Sequence, residues 1–190
     1  SPFAVSSAAV SRVLPPALLL LIYAVLFGRA ALGAGLLVFD DHPGQIYRVY
    51  HAVALGWAPW RMNPGWWAGY AELQYYPPGA AWLGAAIHGA SLGALGVPQA
   101  YEAMLWIAWM LPGLTTYAFL TRVLGSGWLA LPGAFVALTL SAGSRSGVEE
   151  GLRWGLVSAR LGWGLLPLVA LSLVGWVEAA RRTPLLAAPL

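Results

Sequence analysis

"LPPALLLLIYAVLFGRAALGAGLLVF" (residues 14–39) decides the fold. Apart from Arg29 it carries no charge, and it is long enough for a helix to cross a hydrocarbon core about 30 Å thick. Pro15 and Pro16 fit a first helical turn, whose N–H groups have no intrahelical partner in any case. A charge at mid-bilayer costs at least about 2.5 kcal/mol, so Arg29 is expected near one interface or facing the protein interior.

The whole chain has this character. Of 190 residues, 59% are hydrophobic and 9% charged, and the mean hydropathy is +0.69. Soluble domains carry about 25% charged residues, so a soluble fold is excluded. All ten basic residues are Arg, scattered singly or in pairs, and no basic run suits a nucleic-acid backbone. With no Cys there is no disulfide, thiolate nucleophile or zinc–thiolate site.

Three further spans are expected, at residues 97–120, 128–142 and 161–177. Before them, "HPGQIYRVYHAVALG" (residues 42–56) places Ile46, Val49, Tyr50 and Val53 on one helical face and Gln45, Arg48 and His51 on another. That pattern predicts a short amphipathic helix in the interface plane, capped by Asp41 or His42 with Pro43 in its first turn. The next 26 residues, 57–82, hold five Trp and three Tyr among Pro and Gly, the composition of a loop lying on a membrane surface. Residues 77–96 are uncharged, Gly-rich and weakly hydrophobic, and could form a helix that crosses the membrane or one that lies half-embedded. The positive-inside rule scores both candidate topologies equally and does not orient the chain.

Polar chemistry is confined to two loops. The first holds Asp40, Asp41, His42, Arg48, His51, Arg61 and Glu72; the second holds Arg145, Glu149, Glu150, Arg153 and Arg160. In the four-span arrangement both loops fall on the same side and could build one site. Each residue also has a structural reading. Asp40 and Asp41 could cap a helix. Ser146 and Glu149 fit a capping box, and Glu149 could pair with Arg153 at i,i+4. Trp57, Trp60, Trp66, Trp67, Tyr70, Tyr75 and Tyr76 suit interfacial anchors as well as a sugar-stacking platform.

"DHPGQIYR" after a first span, then "PW", then "GY" and "YYPP" opening a weakly hydrophobic helix, resembles the start of GT-C-type integral-membrane glycosyltransferases. "TRVLG" (residues 121–125) resembles their short basic cytoplasmic turn, which implies the four-span arrangement with residues 77–96 a juxtamembrane helix that does not cross. The resemblance covers roughly residues 14–178 and rests on short motifs. Gln45 departs from the His that such proteins often carry. It implies an all-α polytopic transmembrane bundle with interfacial helices in the first external loop, residues 1–190 forming one transmembrane domain that is the N-terminal part of a larger one. It implies a bacterial inner-membrane enzyme that takes sugar from a polyprenyl-phosphate carrier on the outer face. It further implies Asp41 as base or metal ligand, Glu150 or Glu149 as a second acid, and Arg48, Arg61, His42 and Tyr76 as substrate or phosphate contacts. Asp40 and Asp41 would hold a divalent cation, Mg or Mn, and the partners are membrane lipids and the lipid-linked sugar donor. Chemically this is coherent: a partly desolvated carboxylate is a better base, and the planar Arg fork suits phosphate. The competing reading is a non-enzymatic polytopic membrane protein, a transporter or assembly subunit, whose loops only anchor and pair.

Overall fold

The computed structural model describes residues 7–33, 35–65, 69–141 and 147–182. Its helices, in chain order, are α1 (Ser7–Leu32), α2 (His42–Leu55), α3 (Glu72–Tyr75), α4 (Gly79–Ala90), α5 (Val97–Leu124), α6 (Gly127–Thr139), a one-turn π-helix (Glu149–Arg153) and α7 (Val157–Arg182). Among the described residues there is no β-strand, only an isolated bridge between Asn63 and Tyr70. The protein is an all-α bundle in which α1, α5 and α7 are long and apolar enough to cross a membrane.

Helix α5 is the hub. Trp109 Nε1 donates to the Ala24 carbonyl (2.7 Å) and the Tyr117 hydroxyl to that of Val13 (2.6 Å), so α1 runs antiparallel to α5. On its other flank, Thr115 Oγ1 donates to the Gly164 carbonyl (2.7 Å) and Arg122 pairs with Glu178, so α5 and α7 run parallel. Helix α6, turned back by Gly125 at φ +67°, returns the chain between them. One end of the bundle, here the head, therefore carries the described parts of both residues 33–96 and residues 140–156. The tail carries the α5–α6 turn and the C-terminal end of α7.

Four expectations change. Helix α1 begins well before Pro15 and Pro16, so both prolines lie inside it; buried Pro16 packs where Gly127 opens α6. It ends at Leu32, where Gly33 takes φ +71°, and not at residue 39. The span expected at residues 128–142 is a 13-residue helix of roughly 20 Å, too short to cross alone. Its end is fixed by buried Arg160, whose Nη2 donates to the Leu138 carbonyl (2.7 Å). The same guanidinium donates through Nε to the Ala108 carbonyl (3.3 Å), the group that Pro112, lacking an N–H, cannot serve.

The fourth change concerns α2. Its polar face does not look outward: His42, Gln45 and His51 are buried beside Val49 and Ala52, while Tyr50 is exposed. The helix is wedged against α4 and α5, with Val49 so close to Gly84 that a Cβ there would collide with it. His42 and Gln45 turn inward because the second loop, the aromatic segment and Tyr101 of α5 supply their hydrogen-bond partners. Helix α4, at 12 residues, is roughly 18 Å long and stays at the head, as expected.

Candidate functional site

The first loop enters the head through Asp40, held at φ +49°, a left-handed conformation that Asp tolerates better than most residues. Asp41 then occupies the N-cap position of α2. Its side chain makes no capping hydrogen bond. Instead its backbone is anchored: the N–H donates to the Trp154 carbonyl (3.2 Å), and its own carbonyl accepts from the Gln45 N–H (3.0 Å). The carboxylate is left on the surface of a cavity of about 620 Å³ lined by Asp40, Asp41, Pro43, Gly44, Tyr47, Arg48 and Gly65.

Behind that wall the second loop locks onto α2. His42 Nε2 donates to the Arg153 carbonyl (3.2 Å), which fixes the neutral tautomer and leaves Nδ1 to accept from the Tyr101 hydroxyl (2.6 Å). Burial lowers the His42 pKa below its ordinary value, an effect opposed by its backbone hydrogen bonds and by Asp40 and Asp41. Gln45 Nε2 donates to the Tyr76 hydroxyl (2.7 Å) and the Gly155 carbonyl (3.0 Å). Gly155 sits at φ +82°, and a Cβ on it would lie 3.1 Å from Asp41 and 2.9 Å from the His42 nitrogen. No other residue type fits there without displacing one of the loops.

The opposite wall depends on a buried carboxylate. Glu72, 2% exposed, lies 3.1 Å from Arg48 Nε and accepts a short hydrogen bond from Asn63 Nδ2. Asn63 Oδ1 accepts from the Tyr47 hydroxyl (2.7 Å) and the Gly65 N–H (3.0 Å), while the Asn63 backbone bridges to Tyr70. The Arg48 guanidinium also stacks over the Tyr76 ring, 3.8 Å from its centroid. Tyr70 has its pKa raised, first by burial and then by the negative charge of Glu72. This network ties the aromatic segment to α2 and sets Tyr47, Arg48 and Gly65 around the cavity.

Of the residues singled out in the sequence, the structure brings Asp40, Asp41 and Arg48 to one cavity. His42 and Tyr76 are packed behind it as supports. Arg61 is exposed beside Gly56 and is not part of that lining. Glu149 pairs with Arg153 (3.3 Å), as its spacing suggests, and lines a different cavity. Glu150 is buried in the π-turn, with Oε2 bonded to no described residue. The expectation that Asp41, Glu149 and Glu150 face one cavity is therefore corrected: the loops dock, but through the backbone of residues 153–155, with these glutamates turned elsewhere. The Ser146 capping box, Arg145, Trp66 and Trp67 lie outside the described residues. His51 is buried with neither ring nitrogen bonded to a described residue.

Sequence reading gave Glu72 and Asn63 no role. The available signal was economy of charge: Glu72 is the one acidic residue among the aromatics of residues 57–82, so an Arg partner was to be expected. Among the described residues no group of three or more His, Asp and Glu could hold a metal ion. Comparison of the chain with protein-family models, with curated proteins and with solved structures finds no match.

Proposed function

We propose that the protein is the N-terminal part of a GT-C-like glycosyltransferase that uses a polyprenyl-phosphate sugar, with its head on the outer face of the membrane and Asp41 as the general base. The observation that carries this reading is the pair of carboxylates of Asp40 and Asp41 at an open cavity above the helices that can span a membrane. A cavity of this size suits a sugar-sized ligand. Asp41 makes no side-chain capping bond, so its carboxylate is available to accept a hydroxyl proton.

The charge balance assigns the other roles. Arg48 is paired with Glu72, so the cavity keeps the net negative charge of Asp40 and Asp41. Such a site receives a donor phosphate most readily together with a cation. Asp40 and one oxygen of Asp41, with no third candidate ligand among the described residues, would fit Mg²⁺, which takes one or two carboxylates and completes its shell with phosphate oxygens and water. Its chemistry there is to neutralise the departing phosphate. Arg48 supplies the remaining positive edge, positioned by Glu72 and Tyr76. Glu149 and Glu150 have no part in this scheme.

The test is sugar transfer in vesicles containing the full-length protein and radiolabelled polyprenyl-phosphate sugars. Asp41→Asn is expected to abolish transfer while the amount of folded protein is retained. Transfer at the wild-type rate in Asp41→Asn contradicts Asp41 as the base, whereas no transfer by the wild type favours the non-enzymatic reading.

A further inference from the structure

Helix α6 runs beside α1 but stops before it. Gly127 starts against Pro16 and the Arg12 carbonyl, and the Phe135 ring meets Tyr23 edge-on at 4.9 Å between centroids. Thr139 then shares a cavity with Phe27. These pairings hold the two helices parallel at a nearly constant stagger, so α6 ends level with Phe27. Five residues of α1 remain to Leu32, roughly 8 Å at 1.5 Å per residue. Beyond the end of α6 there is a notch of about 380 Å³, lined by six apolar side chains, Phe27 and Ala31 among them, and by Thr139, Ser141, Glu149 and Arg153.

Backbone that leaves the helix at membrane depth must be enclosed by protein or face polar surroundings. We propose that the notch seats the phosphate headgroup of a bilayer phospholipid from the head-side leaflet, drawn down to the end of α6. Both flanking helices expose apolar side chains such as Leu26 and Val136, so lipid is the solvent around them. The Ser141 hydroxyl and the charged groups suit a headgroup, and the apolar part of the lining suits the glycerol and the first carbons of its chains. Two donors suit phosphate. Among the described residues the Arg153 side chain is held by a largely exposed pair with Glu149, which contributes little and opens readily. The Ser141 oxygen accepts the Glu149 N–H, which leaves the Ser141 O–H to donate outward. The notch is separate from the Asp40–Asp41 cavity, and the proposal stands or falls independently of glycosyl transfer.

Photo-crosslinking in phosphatidylethanolamine vesicles tests it, with a diazirine placed either on the lipid headgroup or at the end of an acyl chain. The headgroup probe is expected to label residues 139–141 and 148–153, and the acyl probe to leave them unlabelled. Arg153→Glu, at an exposed side chain, is expected to lower headgroup labelling, because the phosphate loses a charged donor and meets a second carboxylate. Labelling of this segment by the acyl probe overturns the proposal. So does an absence of labelling by the headgroup probe, the result for a notch holding water alone, or labelling unchanged in Arg153→Glu.

Discussion

Arg48 and Glu72, 24 positions apart in the chain, form the ion pair on which one wall of the head cavity rests: Nε and Oε1 lie 3.1 Å apart, with the carboxylate almost wholly buried. Removing one member of a buried pair leaves an uncompensated charge, at a cost of about 3 kcal/mol or more. Glu72→Gln is expected to lower the thermal unfolding midpoint in detergent, followed by Trp fluorescence, and to release the aromatic segment to proteolysis. The double variant Arg48→Met, Glu72→Leu removes both charges and is expected to recover much of the loss. A midpoint unchanged in Glu72→Gln would mean that the pair holds nothing.

Arg160 and Pro112 are expected to be coupled. Pro112 leaves the Ala108 carbonyl without its helical donor, and Arg160 Nε occupies it. Pro112→Ala restores the donor, so Arg160→Gln should cost less in that background than in the wild type, with a coupling of about 1 kcal/mol. Additive losses in unfolding measurements would show that Arg160 acts only through the end of α6.

His42 makes stability depend on pH in a defined direction. Its folded pKa is lowered by burial, so between that value and the ordinary 6.5 the unfolded chain binds more protons than the folded one. Its contribution is therefore complete above pH 6.5 and is lost as the pH falls through the folded pKa. The unfolding midpoint of the wild type should drop more than that of His42→Gln between pH 7.5 and pH 5, taken as roughly one unit or more either side of 6.5. Equal drops would remove His42 as the cause.

Gly155→Ala is expected to undock the second loop from α2. Its φ of +82° and its 3 Å approach to Asp41 and His42 leave no room for a methyl group. A loss of about 1–3 kcal/mol follows from strain and overpacking together. Gly162→Ala, where an added Cβ meets nothing, provides the matched control within α7.

The long spans were legible because hydropathy over some 20 residues needs no knowledge of partners, and α5 and α7 fall close to where the apolar runs place them. The head was legible only in part. That two charged loops meet followed from counting crossings, but how they meet did not. His42 and Gln45 bond to residues 110 or so positions away, and nothing local distinguishes a polar face turned to water from one turned to a distant backbone carbonyl. The short end of α6 was hidden for the same reason: Leu140 and Ala142 continue the apolar pattern in the sequence, and the helix is stopped by Arg160 from a different segment. Asp40 and Asp41 stood out by charge alone. Glu72 carried the same signal, but its burial and its pairing with Arg48 are tertiary and left no local trace.

The docking of both loops at one end of the bundle underlies the candidate site, and side-specific labelling measures it most directly. The chain has no Cys, so single substitutions are read without background. In oriented vesicles, an impermeant thiol reagent should reach Tyr75→Cys in the first loop and Glu149→Cys in the second from the same side, and Val123→Cys at the tail only from the other. Labelling of Tyr75→Cys and Glu149→Cys from opposite sides would contradict the fold and with it the site.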